Sequence, residues 1–276
     1  MSNTGMMKNT VRPIGLALVA IVLGQILVML AEMIFDMSIT KIQASIITFV
    51  IAALFGFVIF PRILKLPFGD VGLSTYLRKL GFYWPRNAWK HVLLGMLLAA
   101  CTLTGIWIAS LLSGRYVLDW STVNLSHTIF SINPGVWEEF FYRGIIMLVL
   151  IGATRSIKRA ALIQILLFSL AHIKGFDLWA WVDVLSVFIL AIAFTYATLK
   201  TRTLVVGMVF HFLHDAFLFL PQVPGADYLG TQENVVFYAC LWVMAGVACL
   251  IIKFASERLG VQADEELYKV EQAVPA

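Results

Sequence analysis

An all-α, polytopic membrane fold of about eight transmembrane helices, both termini cytoplasmic, is what the sequence predicts, on three observations. First, 61% of the 276 residues are hydrophobic and 13% are charged, against roughly 45–50% apolar in soluble domains. Second, the apolar residues come in runs near the ~20-residue length that a helix needs to cross a ~30 Å hydrocarbon core. Third, lysine and arginine gather in every second connection between those runs. The strand-like alternation of a membrane barrel is absent.

The runs lie near 14–35, 42–60, 90–113, 126–150, 159–174, 178–199, 203–220 and 234–254. The N-terminal run from Ile14 is too long for a signal-peptide core and has no small-x-small cleavage pattern before Glu32, so it reads as a retained first span. Lys8 and Arg12 precede it. Basic residues follow the second span (Arg62, Lys65, Arg78, Lys79, Arg86, Lys90), the fourth (Arg155, Lys158, Arg159), the sixth (Lys200, Arg202) and the eighth (Lys253, Arg258). The alternate connections hold at most one such residue each: Lys41, Arg115 and Lys174, with only Asp227 and Glu233 after the seventh. The net charge of +4 therefore reflects topology, and nothing points to nucleic acid.

One domain is expected over 1–255, its polar motifs within 126–220, followed by an acidic cytoplasmic tail over 256–276 carrying Asp264, Glu265, Glu266 and Glu271. The stretch 66–91, with Phe82, Tyr83, Trp84 and Trp89 among its basic residues, suits either a cytoplasmic segment lying in the headgroup layer or an ordinary loop with aromatic anchors. Cys101, Cys240 and Cys249 sit in apolar runs without metal or redox spacing and read as packing residues.

Ionisable groups inside spans stand out, because each costs about 2.5–3.5 kcal/mol at a helix centre. Glu138, Glu139 and Arg143 fall in the fourth span, His172 near the end of the fifth, and His211, His214 and Asp215 in the seventh. Glu32 and Asp183 lie near span ends, where they can reach the interface. Asn133-Pro134-Gly135 looks like a helix start, which would set the two glutamates about one turn inside, at the positive end of the helix dipole. Glu139 and Arg143, spaced i,i+4, can pair on one face while Glu138 is rotated roughly 100° away, so the glutamates can do different jobs. His211 and Asp215 share a face by the same spacing, with His214 about 60° off it.

A carboxylate and two histidines in a dry cavity can activate water for attack on a carbonyl. The same groups could instead ligate zinc, with Glu138, His172 and His211 as candidates, although the HExxH pattern is absent. No GxSxG surrounds a serine nucleophile, and Ser169 has no such context.

The sequence EEFFYR (Glu138 to Arg143) matches EExxxR, FSLAH (Phe168 to His172) matches FxxxH, and HFLHD (His211 to Asp215) matches HxxxN/D. In this the chain resembles the CAAX protease and bacteriocin-processing membrane endopeptidases (CPBP, or Abi, family), relatives of the Ras-converting CAAX endopeptidase. The resemblance implies an intramembrane peptidase acting on a membrane-associated peptide or prenylated protein. Glu138 would be general base and His172 would position the water. His211 and Asp215 would stabilise the oxyanion, with Glu139 and Arg143 in support. It implies a glutamate-dependent reaction requiring no cofactor, with zinc the alternative. Asp215 departs from the asparagine of the prenyl-protein proteases; an ionised aspartate cannot donate to an oxyanion, so it is either protonated or orients His211. His214 has no motif role.

Two other functions stay open on the sequence: a non-catalytic family member serving as membrane scaffold or bacteriocin immunity factor, and a proton-coupled transporter, which the absence of symmetry between the halves disfavours. The short loops point to a bacterial plasma (inner) membrane.

Overall fold

The computed structural model describes residues 40–59, 72–113, 117–218, 221–222 and 231–261, together with Gly15. The expected first span over 14–35, with Glu32, lies outside them, as does the tail from 262 onward. Among the described residues the regular structure is helical, joined by turns, apart from one two-residue antiparallel pair.

Helix α1 (Lys41–Ala53) is capped by Thr40, whose hydroxyl accepts from Gln43 N, and runs on as a π-helical turn, Leu54–Ile59. A short α2 (Leu73–Lys79) precedes α3 (Ala88–Ser113). Strand β1 (Val117–Leu118) and a 3-10 turn (Trp120–Thr122) lead to α4 (Leu125–Asn133), which passes without a break into a π-helix, Pro134–Ile146, and then α5 (Met147–Thr154). Helices α6 (Ile157–Leu170), α7 (Leu178–Thr201) and α8 (Val205–Phe217) follow, then β2 (Pro221–Gln222) and α9 (Thr231–Arg258). Among the described residues, four helices are long and apolar enough to cross a membrane, at Ile42–Ile59, Ala88–Ala109, Leu178–Thr201 and Val235–Arg258. The outward-facing Leu93, Leu111, Val243 and Leu250 have lipid as their solvent, and the chain is an integral membrane protein.

The sequence marks Asn133 as a helix start, and the structure corrects this. Asn133 is in the αR conformation inside a continuous helix, makes no N-cap bond, and donates from Nδ2 to Ser45 O on α1 at 3.1 Å. Pro134 removes one N–H, and the wider i→i+5 winding that begins there accommodates it, a departure from α geometry frequent at functional sites. The glutamates therefore lie in mid-helix, without support from a helix N-terminus. The ion pair with Arg143 and the contacts across helices replace that support.

The headgroup-layer reading of 66–91 is also revised over its described part. Tyr76 and Leu80 are buried, and Phe82 packs at 5.3 Å on Phe140, two residues from Glu138. The chain turns there at Gly81, whose φ of 79° suits glycine alone. Gly81 O accepts from Leu204 N (2.9 Å) and Thr203 Oγ1 (3.2 Å), and Tyr83 OH donates to Arg202 O at 3.1 Å. This turn is thereby clasped to the start of α8. Trp84 and Trp89 stay exposed, as anchors should.

Candidate active site

Three elements converge: the π-helix, the turn after α6, and α8. Helix α6 ends at Leu170, so His172 sits in the following turn, where its Nδ1–H donates to Phe168 O at 2.8 Å. That bond fixes the tautomer and leaves Nε2 facing Glu138 Oε2 at 3.9 Å. From α8, His211 Nε2 lies 4.0 Å from the same oxygen. Glu138 Oε2 is enclosed and has no hydrogen-bond partner among the described residues. Separations near 4 Å are too long for direct bonds and are the kind that one bridging water spans.

Glu139 is turned the other way. Its Oε1 is 3.1 Å from Arg143 Nη1, both side chains fully buried, and accepts from His211 Nδ1 at 2.9 Å. The Arg143 guanidinium lies 4.1 Å over the Phe168 ring, and His211 stacks on Phe194 at 4.6 Å. A charge this deep is tolerable only when paired, and the aromatic faces add a cation–π contribution. Gly207 makes room for the carboxylate: a Cβ there would come within 2.9 Å of Glu139 Oε2. Glu139 pairs with Arg143 at i,i+4, as the spacing predicts, while Glu138 faces His172 and His211 instead.

Asp215 places Oδ2 3.6 Å from His211 Nε2, so all six motif residues form one cluster. His214 points elsewhere: it is buried, with Nδ1 3.0 Å from Thr102 Oγ1 on α3, joining two helices outside the cluster. Ser169 donates its hydroxyl to Ile165 O and does not face the cluster. Asp183 accepts from the Tyr238 hydroxyl on α9, a contact between helices. Sequence reasoning missed His127 on α4, whose Nε2–H donates to Asp215 O at 3.1 Å. As a lone histidine outside any motif, it carried no signal beyond its place at the very start of a span.

Catalytic zinc needs three ligands converging at ~2.0–2.2 Å, hence about 3.4 Å apart in tetrahedral geometry. The Glu138–His172 and Glu138–His211 separations of 3.9 and 4.0 Å are wider, and among the described residues no group of three His, Cys, Asp or Glu side chains is arranged to hold a metal. As placed, these residues do not fit zinc.

Residues 119–217, which contain the whole cluster, match the family model of the Rce1-like type II CAAX prenyl endopeptidases. No curated protein and no solved structure matches the chain.

Proposed function

We propose that the protein, whose residues 119–217 match the Rce1-like family model, is an intramembrane endopeptidase that hydrolyses a peptide bond of a membrane-associated or lipidated, CAAX-like substrate with water activated by Glu138. The observation that carries this reading is the enclosed, unpartnered Glu138 Oε2 facing two imidazole nitrogens at 3.9 and 4.0 Å.

In this mechanism Glu138 takes a proton from a water held against His172 Nε2. The water oxygen bonds to the scissile carbonyl carbon, and the developing oxyanion meets His211 and Asp215. With Nδ1–H committed to Glu139, His211 offers a second donor only as an imidazolium, and it shares that proton with Asp215. Collapse of the tetrahedral intermediate breaks the C–N bond, and Glu138 returns its proton to the departing amine. Glu139 and Arg143 keep His211 oriented. No metal is required.

Eight spans with both termini cytoplasmic, in a bacterial plasma membrane, complete the proposal. The four long apolar helices and the gathering of Lys and Arg in every second connection of the sequence support it. The test is cleavage of a prenylated CAAX reporter peptide by the purified full-length protein in detergent, with and without a strong chelator. Cleavage unaffected by the chelator is expected. Cleavage abolished by chelator and restored by zinc would overturn the metal-free mechanism, and no cleavage of prenylated or other membrane peptides would overturn the peptidase reading.

A further inference from the structure

Helix α8 holds its two motif residues unequally. His211 is fixed from two sides: its buried ring donates to Glu139 Oε1 at 2.9 Å and stacks on Phe194. Asp215 lies in the last turn, two residues before the helix ends at Phe217. Carbonyls of a last turn have no N–H partner within their own helix, and helix ends fray where nothing outside replaces that partner. The Asp215 carboxylate stands 3.6 Å from His211 Nε2 across that same turn, so fraying there would separate the pair.

His127 supplies the missing partner. Its Nε2 lies 3.1 Å from Asp215 O, and because a carbonyl only accepts, the imidazole carries a proton on that nitrogen. The donor is itself anchored. His127 occupies the first turn of α4, where its N–H donates to the capping Oδ1 of Asn124 at 2.9 Å and its carbonyl accepts from Ser131 Oγ at 2.9 Å. The same continuous helix carries Glu138 and Glu139 further along, and it meets α8 again at Gly135, where an added Cβ would come within 2.8 Å of Phe212 Cα. The two elements therefore run antiparallel, touching in the order His127 to Asp215, Gly135 to Phe212 and Glu139 to His211. The inner two contacts fix α8 around His211, and the outer one fixes it at Asp215.

Resting on the endopeptidase reading, we infer that His127 is a positioning residue that caps the last turn of α8 and thereby holds the Asp215 carboxylate against His211. Its contribution to hydrolysis passes through Asp215. That dependence separates it from a histidine that only joins helices, as His214 joins α8 to α3.

A double-mutant cycle reads the dependence directly. In the purified full-length protein, kcat on the prenylated CAAX reporter is expected to fall about 10- to 10²-fold for His127→Ala, with KM little changed, as for other small misplacements of a reacting group. His127→Phe keeps a ring but loses the N–H, is expected to fall equally, and stands in should the alanine variant not fold. His127→Gln, whose amide can donate to the same carbonyl, is expected to recover most of the rate. In an Asp215→Ala background, His127→Ala is expected to cost nothing further, because the group it positions is gone. Losses that multiply through the cycle, wild-type kcat in His127→Ala or His127→Phe, or a glutamine variant no faster than the phenylalanine one would overturn the inference. Hydrogen exchange gives a readout without turnover. Faster exchange at the amides of residues 215–218 in His127→Ala, with the first turns of α8 unchanged, is expected, and wild-type protection there would equally overturn the inference. A wild-type protein that cleaves no peptide counts against the endopeptidase reading, and the exchange experiment still decides whether His127 caps Asp215.

Discussion

Glu139 accepts a hydrogen bond from His211 at 2.9 Å while its same oxygen holds Arg143 at 3.1 Å, so one buried carboxylate both neutralises a guanidinium and aims an imidazole. Breaking a buried ion pair by removing one partner typically destabilises by about 3–5 kcal/mol. Glu139→Gln is expected to lower the thermal unfolding midpoint in detergent and to reduce turnover together, since the amide leaves Arg143 uncompensated. A wild-type midpoint would show that the pair contributes nothing net.

Gly207→Ala separates aim from stability. The added methyl presses on a carboxylate that Arg143 and His211 hold in place, and would itself lie 3.4 Å from Thr198 Oγ1. Displacement of this support is expected to lower kcat on the order of 10²-fold, with far less effect on the unfolding midpoint than Glu139→Gln. Steady-state kinetics on the reporter peptide reads it.

Asp215→Asn is expected to keep turnover, because an amide supplies the donor that the oxyanion needs. Asp215→Ala removes that donor, and a loss of about 10²–10³-fold in kcat is expected, as for other oxyanion-hole deletions. Equal activity of the two variants would mean that Asp215 is not an oxyanion donor.

His214→Ala is expected to leave kcat and KM unchanged. Its bond to Thr102 joins α3 to α8 outside the cluster, so the loss is of stability, about 0.6 kcal/mol for such an interhelical bond alone. A collapse in turnover with an intact fold would place His214 in the chemistry.

The cluster was legible in the sequence because charge in an apolar helix has few explanations, and i,i+4 spacing separates Glu139 from Glu138 without any structure. The stop-start of apolar runs located seven described helical segments for the same reason, each within a few residues of its ends. What escaped depends on backbone and tertiary choices that spacing does not encode. Asn133-Pro134 carries a helix-start signature, yet π winding absorbs the proline and the helix runs on. Leu80 and Phe82 sit in a stretch rich in basic and aromatic residues, and only the bonds at Gly81 show that it folds inward. His127 joins the cluster through a backbone carbonyl 88 residues away in sequence, a contact that only the fold creates.

Glu138→Gln keeps the shape of the side chain and removes the base. Reporter cleavage by the purified variant, with its unfolding midpoint measured alongside, is expected to fall by roughly 10²–10⁴-fold at an unchanged midpoint, the usual contribution of general base catalysis. A folded Glu138→Gln protein that cleaves as fast as wild type would contradict the assignment of Glu138 as the group that activates water.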